Sequence, residues 1–115
     1  MATTLAGTRE LFNYAESKNV PITVFFNRLW DSDTLTIKDL LANKPELIGK
    51  PFRFDGRFER FRPDLNAQSW REQLTPQQGG GLLLDLQSHL ISTAIDCFGP
   101  AQLKYANVNS FSFPS

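Results

Sequence analysis

Asp85 and His89 stand four residues apart in the run Leu-Leu-Leu-Asp-Leu-Gln-Ser-His-Leu-Ile. If that run is helical, both side chains leave the same face. A carboxylate so placed can accept an imidazole N–H, fix the tautomer and raise the basicity of the other ring nitrogen. His89 is the only histidine of the 115 residues, so any imidazole proton transfer near neutral pH rests on it. The chemistry on offer is general acid–base catalysis. The same spacing also suits an ordinary helix pair or a satisfied core histidine, and spacing alone does not choose between these.

Other groups near this pair have two readings as well. Gly79-Gly80-Gly81 directly precedes the run. Three glycines permit close approach of a backbone or a ligand, and free N–H groups at a helix start attract anions. Neither Gly-x-Gly-x-x-Gly nor Gly-x-x-x-x-Gly-Lys-Ser/Thr is present, so a tight turn is the reading physics favours. Arg57, Arg60, Arg62 and Arg71 are interleaved with Asp55, Glu59 and Asp64, which reads as a solvated lattice of ion pairs. Trp30, beside Arg28, is either a ledge for a sugar ring or a core residue. No Cys/His metal spacing and no nucleophile–base motif occurs.

The elements that must hold these residues follow from periodicity. Residues 82–98 read as a helix closed by Gly99-Pro100. An earlier helix carries Leu5, Leu11, Phe12 and Ala15 on one face, capped by Thr3 or Thr4 and ended near Asn19. A second, capped by Ser32 or Asp33, carries Leu35, Ile37, Leu40 and Leu41 and ends near Asn43. Residues 22–26 are β-branched and aromatic, the pattern of a strand buried on both faces. In residues 52–58 Phe52, Phe54 and Phe58 alternate with charges, the pattern of a half-buried antiparallel strand. Residues 60–78 read as a long loop with one helical turn at 69–73, and residues 102–113 as a closing strand. The pattern changes near Gly49, where a domain boundary is expected. The fold class is α/β passing to α+β.

Composition narrows the partners. Twelve basic and twelve acidic residues cancel, so no net charge draws the chain to nucleic acid or to anionic lipid. No apolar run approaches the roughly 20 residues of a membrane span. Hydrophobic residues make up 41%, enough for one globular domain, and the single cysteine, Cys97, forms no internal disulfide, as in a reducing compartment. A cytoplasmic chain that binds neither nucleic acid nor membrane is expected.

Three stretches resemble the glucose-fructose oxidoreductase/inositol dehydrogenase/MocA-like family of NAD(P)-dependent oxidoreductases. Residues 24–33, Val-Phe-Phe-Asn-Arg-Leu-Trp-Asp-Ser-Asp, look like the strand and loop after that family's catalytic-lysine region. Residues 49–63, with Phe-Glu-Arg-Phe-Arg-Pro, are similar to the crossing into its second domain. Residues 79–91 look like its Gly-Gly-Gly…Asp-x-x-x-His helix, with Gln87 where members commonly have Gly. The likeness runs from about Thr8 to Tyr105.

The resemblance implies that Asp85 and His89 face a sugar or polyol, with His89 as acid/base and Arg28 and Trp30 binding substrate. Residues 1–48 would be the end of a Rossmann domain and 49–115 the start of the substrate domain. The family's cofactor is NAD or NADP. The family's glycine fingerprint and its Glu-Lys-Pro motif are expected to fall before Met1, so this chain is expected to bind no dinucleotide and to be inactive alone. Homo-oligomerisation, or pairing with an intact relative, would cover its unpaired edges. A non-catalytic interaction module and a product without selected function are the alternatives.

Overall fold

Helices dominate because their hydrogen bonds close within a few residues. The computed structural model describes residues 2–59, 61, 64, 66 and 68–109. Helix α1 spans Leu5–Ser17; the Thr4 hydroxyl caps it by accepting the Gly7 N–H at 3.1 Å. It stops where Asn19 takes φ of 53°, a conformation asparagine tolerates better than most residues. A short 3₁₀ turn, Asn27–Trp30, leads into α2, Ser32–Asn43. The cap position of α2 is Asp31, with no side-chain capping bond, where Ser32 or Asp33 was expected. Pro45 opens one further turn, α3 (Pro45–Ile48), because proline's fixed φ suits a first helical position. The expected turn in the long loop is α4, Trp70–Gln73.

The helix expected at 82–98 is present in two parts. Leu83–Gln87 form a π-helical turn, and α5, Ser88–Phe98, continues it. Gly99, at φ 84°, ends it in a conformation that L side chains rarely adopt. Lys38 of α2 meets Asp96 of α5 at 2.7 Å. Phe54 packs on Phe98 with ring centroids 5.4 Å apart, and Gly56 lies against Leu90. Residues 54–56 thus touch α5 at Leu90 and Phe98, while Leu83 and Ile91 stay more than half exposed.

The strand expectations are corrected. Among the described residues there is no strand: 22–26, 52–58 and 102–109 lie outside regular structure, and the expected strand end at 110–113, with Phe111 and Phe113, lies outside the described residues. Arg60 and Arg62 of the expected ion-pair lattice, and the Arg-Pro that ends the second family-like stretch, lie outside them too. The physical reason is that a strand's N–H and C=O groups bond to another segment about 4.8 Å away. These segments have the alternation of strands and no neighbour to bond. Phe25, within the segment patterned for burial on both faces, is 82% exposed.

Little is sealed from water. Ala15 is the one buried hydrophobic residue among those described, and Phe52 is almost fully exposed. The radius of gyration is 17.6 Å, against about 13 Å for a compact chain of this length. The accessible surface is 10305 Å², against roughly 6,300 Å² expected of a compact fold. The chain therefore buries about two thirds of the area that a compact domain would. Urea unfolding of the dilute chain should accordingly give an m-value about two thirds of that of a compact domain of equal length. A full-sized m-value, measured by circular dichroism, would show that the chain closes up in solution.

Candidate functional site

The glycine triplet is a seat for backbone. Residues 74–81 fold back so that the Gly81 N–H donates to the Arg71 carbonyl at 2.9 Å and the Gly80 N–H to the Thr75 carbonyl at 2.9 Å. Gly79 donates to the Pro76 carbonyl at 3.1 Å. A Cβ on Gly80 would lie 1.9 Å from the Leu74 carbonyl oxygen, so no side chain fits there. Between the two ends, Thr75 and Gln78 close a reciprocal capping box around the 3₁₀ turn Pro76–Gln78. That box was legible as Thr-x-x-Gln, a signal the sequence reading passed over.

This seat fixes α4 beside the π turn and brings Arg71 to Asp85. The Arg71 Nε donates to Asp85 Oδ2, and the pair is partly buried. That hydrogen bond raises the Arg71 pKa above its usual value, and the guanidinium also lies over the Trp70 ring, 4.7 Å from its centroid. The sequence placed Arg71 in a solvated lattice. Its partnership with Asp85, fourteen residues on, had no local signal.

Asp85 and His89 both line one cavity of about 390 Å³, together with Phe26, Trp70, Leu84 and Ser88. They are not bonded to each other. Asp85 is engaged by Arg71, and His89 Nδ1 is buried without a hydrogen-bond partner. The imidazole meets the Phe26 ring edge-on at 6.0 Å. A buried ring nitrogen without a partner costs about 1–3 kcal/mol. The Ser88 and Ser92 hydroxyls donate to the Asp85 and His89 carbonyls, at 3.0 and 2.8 Å. Those bonds keep the two serines turned along the helix.

His89 also borders a second cavity of about 310 Å³, shared with Arg28, Asp31, Asp55, Arg57 and Phe58. Arg28 is held by Asp31 at 2.8 Å, which raises its pKa, and it lies over the Phe58 ring. Trp30 is 73% exposed and lines neither cavity. A larger hollow of about 510 Å³ at the end of α1 has Glu16 as its one ionisable lining residue. His89 is thus the residue common to these two cavities. Burial pushes the Cys97 thiol above its usual pKa, which disfavours the thiolate nucleophile.

A nicotinamide dinucleotide needs a cradle of free N–H groups for its pyrophosphate. All three N–H groups of Gly79–Gly81 are bonded within the turn, and the space a phosphate would need at Gly80 is filled by the Leu74 carbonyl. The N-terminus of α2 carries Asp31 and Asp33, whose charge repels phosphate. The residues described do not fit the pyrophosphate.

With this geometry in hand, the comparisons place the chain in a family. Residues 34–113 match the GFO/IDH/MocA C-terminal domain, and the chain belongs to that family of oxidoreductases. It is 45% identical over 96 residues to the uncharacterized oxidoreductase YdgJ of Escherichia coli, covering 84% of this chain and 26% of YdgJ. It is 37% identical over 107 residues to the uncharacterized oxidoreductase C26H5.09c of Schizosaccharomyces pombe, covering 93% of this chain and 28% of that protein. It is 35% identical over 94 residues to the scyllo-inositol 2-dehydrogenase (NADP(+)) IolW of Bacillus subtilis, covering 82% of this chain and 25% of IolW. The chain spans about a quarter of the length of these curated relatives. No solved structure matches it. No helix among the described residues is long and apolar enough to cross a membrane.

The glycine seat makes Gly80→Ala informative. The added methyl overlaps backbone, so α4 must move off the triplet, at a cost of about 1–3 kcal/mol. Hydrogen exchange at the Gly81 amide, which bonds the Arg71 carbonyl, is expected to accelerate by roughly 5- to 150-fold. Unchanged protection would mean that the turn does not depend on the seat.

Proposed function

We propose that this chain supplies the acid/base side of an oxidoreductase that interconverts a sugar or polyol hydroxyl and its carbonyl. The observation that carries the reading is the buried, unpartnered Nδ1 of His89 in a cavity it shares with Asp85. The name of IolW, a scyllo-inositol dehydrogenase, supports a polyol as the substrate class. As a hydroxyl carbon becomes a carbonyl, His89 takes the hydroxyl proton while the hydride on that carbon would pass to an oxidised nicotinamide. In reduction His89 returns the proton to the carbonyl oxygen, and the hydride would come from a reduced nicotinamide. Asp85 accepts a hydrogen bond from a substrate hydroxyl, and Arg28, in the adjoining cavity, binds another part of the substrate. Trp30, exposed, is assigned to the rim.

In this reading residues 1–48 close a dinucleotide-binding domain and residues 49–115 open the substrate domain. Segments 22–26, 52–58 and the chain beyond 102 become strands when further sheet is present, giving the α/β to α+β architecture. NAD or NADP is held by residues other than those described, and the chain is inactive without them. The wide exposure of Phe25 and Phe52 favours a second role: pairing with a copy of itself or with an intact relative. Function in the cytoplasm is part of the same proposal.

Two measurements test this. Titration calorimetry of the isolated chain with NADH and NADPH is expected to show no micromolar binding; tight binding of either would refute the cofactor assignment. Grafting residues 8–105 into IolW in place of the matching segment should preserve NADP-dependent scyllo-inositol turnover. His89→Gln in that chimaera should lower turnover by ~10²–10⁴-fold, the usual range for loss of a general acid/base. Equal rates would leave His89 a structural residue.

A further inference from the structure

Asp85 has a choice of two partners, and the structure records which it takes. Asp85 sits in the π turn and His89, four residues on, in the first turn of α5, and both line the same cavity. The carboxylate goes instead to Arg71, and His89 Nδ1 stays without a partner even though it is buried. Leaving a buried nitrogen unpaired is costly, so something must hold the carboxylate away.

Three contacts hold the arm that does so. The Arg71 carbonyl accepts the Gly81 N–H at 2.9 Å. The Arg71 guanidinium rests on the Trp70 ring, 4.7 Å from its centroid. The turn that carries both is pressed onto Gly80, where the Leu74 carbonyl leaves no room for a side chain. The anchor of the arm is thus the same glycine turn from which the helix of Asp85 and His89 begins.

We propose that Arg71 is a positioning residue whose guanidinium holds the Asp85 carboxylate off His89, so that carboxylate and imidazole face the cavity as two separate groups. The consequence is chemical. A carboxylate bonded to the ring would spend its acceptor oxygen inside the chain. Held off the ring, Asp85 keeps an acceptor oxygen for one substrate hydroxyl, and the imidazole lines the same cavity as a separate group for a second. This last step rests on the polyol reading above; the restraint by Arg71 does not.

The test uses the whole 115-residue chain, and its single histidine makes the signal unambiguous. Ring ¹⁵N–¹H spectra report whether His89 Nδ1 carries a hydrogen-bonded proton. In the unaltered chain and in Arg71→Lys, no carboxylate-bonded Nδ1–H resonance is expected. Arg71→Gln releases Asp85, and that resonance should appear; in the double variant Arg71→Gln/Asp85→Asn it should be lost again. Asp85→Asn alone should leave the ring signals in place. A bonded Nδ1–H in the unaltered chain that vanishes in Asp85→Asn would overturn the proposal. So would ring signals that Arg71→Gln leaves unmoved while the α5 amide signals persist. Should Arg71→Gln lose the α5 amide signals, the Asp85→Asn comparison decides alone. No substrate enters these spectra, so failure of the restraint and failure of the oxidoreductase assignment are read separately.

Discussion

The Leu74 carbonyl occupies the place where a side chain on residue 80 would begin, 1.9 Å from an ideal Cβ. Only glycine admits backbone that close. From this contact follow the fold-back of residues 74–81, the bond from Gly81 to Arg71 and the reach of Arg71 to Asp85. The arrangement of the cavity around His89 depends on it. An anion cradle and a backbone seat draw on the same glycine freedom; here the N–H groups are consumed by carbonyls, which decides for the seat.

The rest of the chain is organised by what can be satisfied locally. Helices α1, α2 and α5 close their own hydrogen bonds, and Thr4 supplies one that α1 lacks. Between α2 and α5 the Lys38–Asp96 pair and the packing of Phe54 on Phe98 give orientation with little burial. Among the described residues the segments patterned as strands find no strand partner, and Phe25 and Phe52 stay in water. That exposure is a physical statement about incomplete burial: the apolar content is sufficient for a core, but the surfaces that would cover it are not brought together by these residues.

The polar groups divide along the same line. Arg28 and Asp31 are three residues apart and pair at once, as local charges do. Asp85 and His89 are equally local and do not pair, because a third group from a distant turn competes for the carboxylate. A charge-assisted bond to a guanidinium is stronger than one to a neutral imidazole. The histidine is left with a buried ring nitrogen whose hydrogen bond is unmet, beside a cavity that the carboxylate also lines.

The sequence by itself determined both ends of α1 and the end of α5, since Thr4, Asn19 and Gly99 act on their own neighbours. It determined that Asp85 and His89 share a face, because helical spacing alone puts them on one cavity. It also carried the family, through the Gly-Gly-Gly…Asp-x-x-x-His run. What it did not carry was the partner of Asp85, the use of the glycines or the state of the would-be strands. Each of these is settled by segments far apart in the chain: Arg71 against Asp85, Leu74 against Gly80, and a neighbouring strand that 22–26 and 52–58 do not find among the described residues. Periodicity records which face a residue occupies. Which group meets it there is decided by non-local packing, and only the tertiary structure holds that information.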